Sequence, residues 1–248
     1  MMALIDVEGV HVRFGDRVVL EEINLAVNEG ELHGIMGPNG AGKTTFFNTL
    51  TGSVKPSRGR IRLDGEDVAG LSPHAISRKG VARSFQIMTL FNDFTAQENV
   101  MMALPAFRAR GFDMRRAVAG DAGLAREADE VLASVGLVEK SAISAKLLSY
   151  GERRALEIAV ALAQRPRVLC LDEPTSGLGT DGTLRLAELI ASLKGKLTIV
   201  AVEHDMRFLF SLADRISVIH WGQVVARGTP RELQQNPWVK RSNLGSFG

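Results

Sequence analysis

Residues 34–47, GIMGPNGAGKTTFF, place four glycines and a proline between two apolar stretches, then set Lys43, Thr44 and Thr45 where a helix should open. Gly37, four residues (Pro38, Asn39, Gly40, Ala41), Gly42, Lys43 and Thr44 have the spacing of a phosphate-binding loop. Glycines carry no side chain to block a ligand, so successive backbone N–H groups can turn inward on phosphate oxygens. The helix behind adds its positive end and unpaired N–H groups. Lys43 is then placed for the β- and γ-phosphates of a nucleotide, and the Thr44 hydroxyl for Mg²⁺. A plain Gly-rich turn is the alternative, but chance gives this pattern in about one chain in a hundred of this length.

Two further strand ends carry chemistry. VLCL runs into Asp172 and Glu173, and LTIVAV runs into Glu203 and His204. A carboxylate after an apolar strand is the expected Mg²⁺ partner of a phosphate-binding loop. Neighbouring residues on a strand point to opposite sides, so Asp172 can serve the metal while Glu173 orients the attacking water. Alone, each would read as a solvated strand terminus, and His204 as an exposed histidine.

These residues need a scaffold that brings three strand ends together. ELHGIM reads as the strand before the loop, and Phe46, Phe47 and Leu50 give the next helix an apolar face. Residues 3–36 alternate apolar and polar, as half-buried strands do, with Val10, Val12 and Phe14 set against His11 and Arg13. GRIRLDGEDV reads as a strand with an Asp64-Gly65 turn. From 95 to 150 the chain turns alanine-rich with helical spacing. Thr95 and Glu98 form a capping-box pattern; Leu124, Ala128, Val131, Leu132 and Val135 line one helix face that Gly136 can end. Helices near 150–164 and 181–194 then flank VLCLDEP and LTIVAVEH, and RISVIHWGQVVARG reads as a closing hairpin. Apolar strands separated by helices predict a mainly parallel α/β sheet, covered on both faces, whose ligands sit outside the strand carboxyl ends.

Composition bounds the rest. With 248 residues, 45% of them hydrophobic, the chain can bury a large core. A net charge of +2 argues neither for nor against nucleic acid. No apolar run approaches a bilayer span, and Asp6 and Glu8 interrupt the start before a signal peptide could form. The single cysteine, Cys170, lies inside VLCL, as a core residue of a reduced compartment would.

In order, GPNGAGKTT, SFQ, LLSYGERRALEIAVALA, VLCLDEPTSGL and VEHDM resemble the ATPase subunit of an ABC transporter over nearly the whole chain. The resemblance implies a P-loop NTPase core over 1–87 and 151–235 with an antiparallel β-subdomain. It also implies an inserted helical subdomain near 88–150 and a tail at 236–248. It implies that Phe14 stacks on adenine and that Lys43 and Thr44 take phosphate and Mg²⁺. Gln86 senses the metal and the attacking water, Asp172 holds the metal shell, Glu173 is the general base and His204 contacts the γ-phosphate. Ser149 and Gly151 would close on ATP held by an opposite subunit. ATP and Mg²⁺ are the implied cofactors. The implied partners are two membrane permeases, a second ATPase chain (a copy or a relative) and, indirectly, a periplasmic or extracellular solute-binding protein, with no nucleic acid. The implied place is the cytoplasmic membrane face.

Ser149 and Glu152 also make a capping box, so a helix start and an anion site coincide there. Glu152 stands where the family usually has glutamine, Tyr150 where it usually has glycine, and Gly179 where it usually has Asp or Asn, with Asp181 two residues on. GVARSFQIMTLFNDFTAQENVMMAL and GTPRELQQNPWVKRSNLG resemble importers of branched-chain amino acids, with urea importers near and lipopolysaccharide-export ATPases more distant. The apolar residues Ile87, Met88, Leu90, Phe91 and Phe94 are the expected permease surface, within residues 86–112. Other classes fit less well. No lysine is followed two residues later by aspartate, as a guanine reader needs, and a small-molecule kinase would lack the Ser149 loop and His204. A soluble ABC protein would carry two cassettes or a coiled coil; an ATP-gated scaffold would bind ATP without turning it over.

Overall fold

Two sheets and a set of helices form the protein in a computed structural model that describes residues 3–84, 90–108 and 121–241. The chain opens with β1 (Ile5–Phe14) and β2 (Arg17–Val27), then β3 (Leu32–Met36), α1 (Lys43–Leu50), β4 (Arg58–Leu63) and β5 (Glu66–Asp67). Next come α2 (Pro73–Arg78), β6 (Val81–Ser84), α3 (Ala96–Met101), α4 (Pro105–Arg108) and α5 (Ala122–Ser134). The last part runs α6 (Tyr150–Leu162), β7 (Val168–Asp172), α7 (Thr180–Leu193), β8 (Thr198–Val202), α8 (Met206–Leu212), β9 (Arg215–His220), β10 (Gln223–Gly228), α9 (Pro230–Gln235) and α10 (Pro237–Arg241).

The larger sheet has the order β10-β9-β3-β8-β7-β6 and is parallel except for the β9–β10 hairpin. The smaller, β2-β1-β4-β5, is antiparallel. The parallel sheet is the one that the apolar strands predict, and the antiparallel sheet is the β-subdomain that the family resemblance implies. Every residue of β3, β7 and β8 is buried. Even so, their side chains alternate between two apolar clusters, because the pleat sends neighbours to opposite faces. Leu169, Leu171, Ile199 and Ala201 join the helices of 90–163 on one face. Val168, Cys170, Val200 and Val202 meet Phe46, Phe47 and the small sheet on the other. Covered on both sides, these strands carry no polar alternation to read, which is why they appear in sequence as plain apolar runs.

Local signals meet their elements. Thr95 with Glu98, Ser149 with Glu152 and Thr229 with Glu232 form reciprocal capping boxes. Asp64 and Gly65 both have positive φ, as the tight turn between β4 and β5 requires. On α5, Leu124, Ala128 and Leu132 are buried with Val135 just beyond, and Val131 packs half-buried beside them. One alternation fails: Phe14 should follow Val10 and Val12 inward, yet it is 55% exposed while they are buried. It is the last residue of β1, paired with Arg17 across the hairpin, where the small sheet runs out of partners. Cys170 is buried, and burial pushes its thiol up to about 12, so it is inert as a nucleophile. Among the described residues no helix is long and apolar enough to cross a membrane.

Candidate active site

The parallel order β3-β8-β7 sets the ends of these strands side by side. From β3 the chain turns at Gly37, where a Cβ would come within 2.0 Å of the Ile219 carbonyl oxygen. At Gly42, φ is 103° and a Cβ would meet the Leu20 side chain at 2.7 Å. Both positions need glycine for the loop to lie against β9 and β2. Beyond them Asn39, Gly40 and Thr44 are exposed and Pro38 and Thr45 half-buried, so the loop offers its outer rim to solvent.

Lys43 opens α1 and is 5% exposed; its ammonium donates to the carbonyls of Gly37 (2.7 Å) and Pro38 (3.0 Å). Burial pushes its pKa below the usual lysine value, against the pull of Glu173, Asp172 and Glu203. Three carboxylates on two strand ends thus favour the charge of one lysine. Helices α2, α3, α5, α6, α8 and α9 each begin under a Ser, Thr or Asp side-chain cap. Helix α1 begins at Gly42 with no side-chain cap and no acid in its first turn. Its first N–H groups and positive end suit an anion supplied from outside the chain.

Asp172 ends β7 and is 1% exposed. Its Oδ2 accepts from Arg83 at 2.8 Å, while its Oδ1 is buried with no hydrogen-bond partner among the described residues. Burial raises the carboxyl's pKa and the Arg83 charge opposes that rise. Arg83, unforeseen in the sequence, also donates to Asn48 and lies 4.7 Å over the Phe47 ring. A buried carboxylate oxygen lacking a donor among these residues fits a hard cation. No group of three His, Cys, Asp or Glu that could hold a metal occurs among the described residues. That donor set suits Mg²⁺, which keeps waters and phosphate oxygens in its shell.

Glu173 does not continue the strand. Its φ is +44°, an uncommon conformation for a non-glycine residue, and its N–H donates to the Val202 carbonyl at 2.9 Å. Leaving the pleat separates its side chain from that of Asp172. His204 has a 59% exposed side chain. Its N–H donates to Oε2 of the fully buried Glu203 at 3.1 Å, and Oε1 of Glu203 takes the Thr175 N–H (2.8 Å) and hydroxyl (2.6 Å). Glu203 therefore ties the loop after Glu173 to His204.

The other predicted residues divide. Phe14 is exposed at the end of β1, where its ring is open to solvent. Gln86, Ile87 and Met88 lie outside the described residues, and Leu90, expected with them on the permease surface, is instead buried in the core. Ser149 and Gly151 are exposed at the start of α6 and line an open cleft of about 520 Å³ with Gly177, Leu178 and Arg185. No residue of the phosphate loop lines that cleft. Gly179 begins α7 without a side-chain cap, and Asp181 sits in its first turn.

Residues 20–176 match the ABC transporter family. The chain belongs to that family. It is an ATP-binding, ATP-hydrolysing ABC subunit, and it resembles its relatives end to end. It is 41% identical over 263 residues to the high-affinity branched-chain amino acid transport ATP-binding protein BraF of Pseudomonas aeruginosa, covering 98% of each chain. It is 39% identical over 252 residues to the corresponding Escherichia coli protein LivG, again with 98% of each covered. Identity falls to 31% with the lipopolysaccharide export ATP-binding protein LptB of Haemophilus influenzae, at 98% of both. Among solved structures, cbiO1 of Clostridium perfringens, part of the ABC transporter complex cbiONQ, superposes with a TM-score of 0.81 at 28% identity, covering 97% of this chain and 94% of that one. The ADP conformation of the ABC cassette MJ1267 gives a TM-score of 0.87 at 24% identity, covering 99% of this chain and 100% of that one, a likeness of fold alone.

Proposed function

We propose that this chain powers an importer of branched-chain amino acids from the cytoplasmic face of the membrane. The observation that carries the substrate is 41% identity over 98% of both chains with a branched-chain amino acid transport subunit, against 31% with an export ATPase. The cargo itself never meets this subunit, so relatedness is the available guide to it.

In this reading the loop from Gly37 to Thr45 and the start of α1 hold the phosphates, Lys43 meets the β- and γ-phosphates, and Phe14 stacks on adenine. Asp172 and Thr44 hold Mg²⁺, which when bound neutralises charge on the phosphate oxygens. Glu173 takes the proton of the attacking water, Gln86 orients that water, and His204 contacts the γ-phosphate. Residues 88–150 act as a helical subdomain between the two parts of the core. Phe91 and Phe94, 56% and 40% exposed and packed edge to face at 5.6 Å, belong to the surface that meets two membrane permeases. A solute-binding protein delivers cargo on the far side.

Two measurements test this. Glu173→Gln should keep ATP binding and lose turnover by about 10²- to 10⁴-fold; parental turnover would remove Glu173 from the base role. In vesicles carrying the chain with its permeases, leucine-loaded binding protein should stimulate ATP turnover and urea should not. Stimulation by urea alone would reassign the cargo.

A further inference from the structure

We propose that Tyr150 and Arg154, one turn apart on α6, are positioning residues that fix the catalytic carboxylate of their own chain. Glu173 is thereby made to follow α6 when that helix moves against β7. The proposal rests on the general-base role given to Glu173 above.

Arg154 is 4% exposed, on the face of α6 turned toward β7. Its Nη2 donates to the carbonyls of Asp172 and Glu173, both at 3.1 Å, and its Nε to that of Pro174, also at 3.1 Å. Its Nη1 meets Glu157 at 2.8 Å, so the buried charge is balanced within the helix. Three successive carbonyls at the end of the catalytic strand therefore bond to one planar guanidinium. A lysine ammonium, a single point donor, could not span them.

Tyr150 reaches the same loop further on. Its hydroxyl donates to the Ser176 carbonyl at 3.0 Å. Its ring lies against Gly177, where φ is +77° and a Cβ would come within 2.8 Å of the phenolic oxygen. The loop is thus shaped to receive a tyrosine. From the opposite side Glu203 holds Thr175 by its N–H and its hydroxyl. Between these anchors stands Glu173, at a positive φ that is uncommon for a non-glycine residue.

The start of α6 carries Ser149 and Gly151, the exposed residues that the family resemblance sets against ATP held by an opposite subunit. A displacement at that end is carried through Tyr150 and Arg154 to the backbone of residues 172–176, with no flexible linker between. A small shift there is enough, because misplacing a reacting group by about 1 Å can cost on the order of 10²-fold in rate.

The test uses the full chain. Tyr150→Phe removes one hydroxyl from a ring that is 49% exposed and should not change the melting temperature. It should lower kcat about tenfold while KM and the affinity for a fluorescent ATP analogue stay within about twofold. Arg154→Lys should lower kcat further with the same split; if that buried variant does not fold, Tyr150→Phe decides alone. An unchanged kcat in Tyr150→Phe, or kcat and affinity falling together, overturns the proposal. In pairs where one chain carries Glu173→Gln, the loss should follow Tyr150→Phe on the chain whose Glu173 is intact. An equal loss from the opposite chain overturns it. A Glu173→Gln protein that still turns over fails the general-base reading and this proposal with it. A dead Glu173→Gln protein beside a fully active Tyr150→Phe protein fails this proposal alone.

Discussion

Phe14 shows how a single exposed side chain separates two roles that its sequence leaves together. In VHVRFGDR the alternation reads as a strand residue facing the core, whereas the family resemblance offers the ring to adenine. At 55% exposure it contributes little to the core, whose largest fully buried members include Phe46 and Phe47. Phe14→Ala should weaken ATP binding about tenfold, the scale of one aromatic stacking contact, and leave the melting temperature nearly unchanged. Titration calorimetry beside thermal denaturation checks both; a large stability loss with unchanged affinity would return the ring to the core. Other residues were legible because their signals are local. Lys43 and Thr44 sit in a fixed spacing, and Asp172 and Glu173 follow an apolar run. Arg83, Arg154 and Glu203 were not, because a buried charge is written with the same letter as a solvated one. What gives them meaning is a partner far away in sequence: Asp172 for Arg83, the carbonyls of 172–174 for Arg154, Thr175 for Glu203.

Among the elements, α6 carries two functions at one end. Ser149 and Glu152 cap it reciprocally, and Lys140 pairs with Glu152 from the preceding segment. The Lys140 contact first, and then the Ser149 N–H, hold the Glu152 carboxyl below its usual range. A folded pKa below the unfolded one means that the charge stabilises the fold above the unfolded value. That contribution disappears as pH falls through the folded value. Glu152→Gln should therefore be less stable than the parent at pH 7, by about 1 kcal/mol or less for a partly exposed pair. The two proteins should converge on acidification below the carboxylate range. Denaturant midpoints across pH measure it, and a gap that widens toward acid would show that the charge is not the stabilising feature. Such boxes are readable because both partners lie within four residues. The register of β3 against β8 and β9 is not, since it joins positions more than 160 residues apart, such as Leu32 with Ile199. The parallel order could be argued from strands alternating with helices. The place of β6 at the edge beside β7 had to be seen.

For the molecule as a whole, the two proposed anion sites do not meet within one chain. Lys43 lies under the phosphate loop beside β8 and β7, whereas Ser149 and Gly151 open a separate cleft with Gly177, Leu178 and Arg185. Each is a helix start with exposed residues, and under the proposed function each alone would surround only part of a γ-phosphate. If the working unit is a head-to-tail pair, Ser149 of one chain covers Lys43 of the other and closure excludes water from the reacting centre. A lone chain should then hydrolyse slowly. Lys43→Ala loses the phosphate contact of its own chain, and Ser149→Arg spoils the cover it gives its partner. Each variant alone should be inactive, with both shared sites damaged. Mixed, one site combines an intact Lys43 with an intact Ser149, so turnover should return to about half of the parental value in each mixed pair, the share of one good site in two. The measurement is phosphate release across mixing ratios, with the oligomeric state followed by light scattering. A mixture that stays dead while the parental chain hydrolyses ATP as a proven monomer would require each chain to complete its own site. The separation of Ser149 from the phosphate loop speaks against that arrangement.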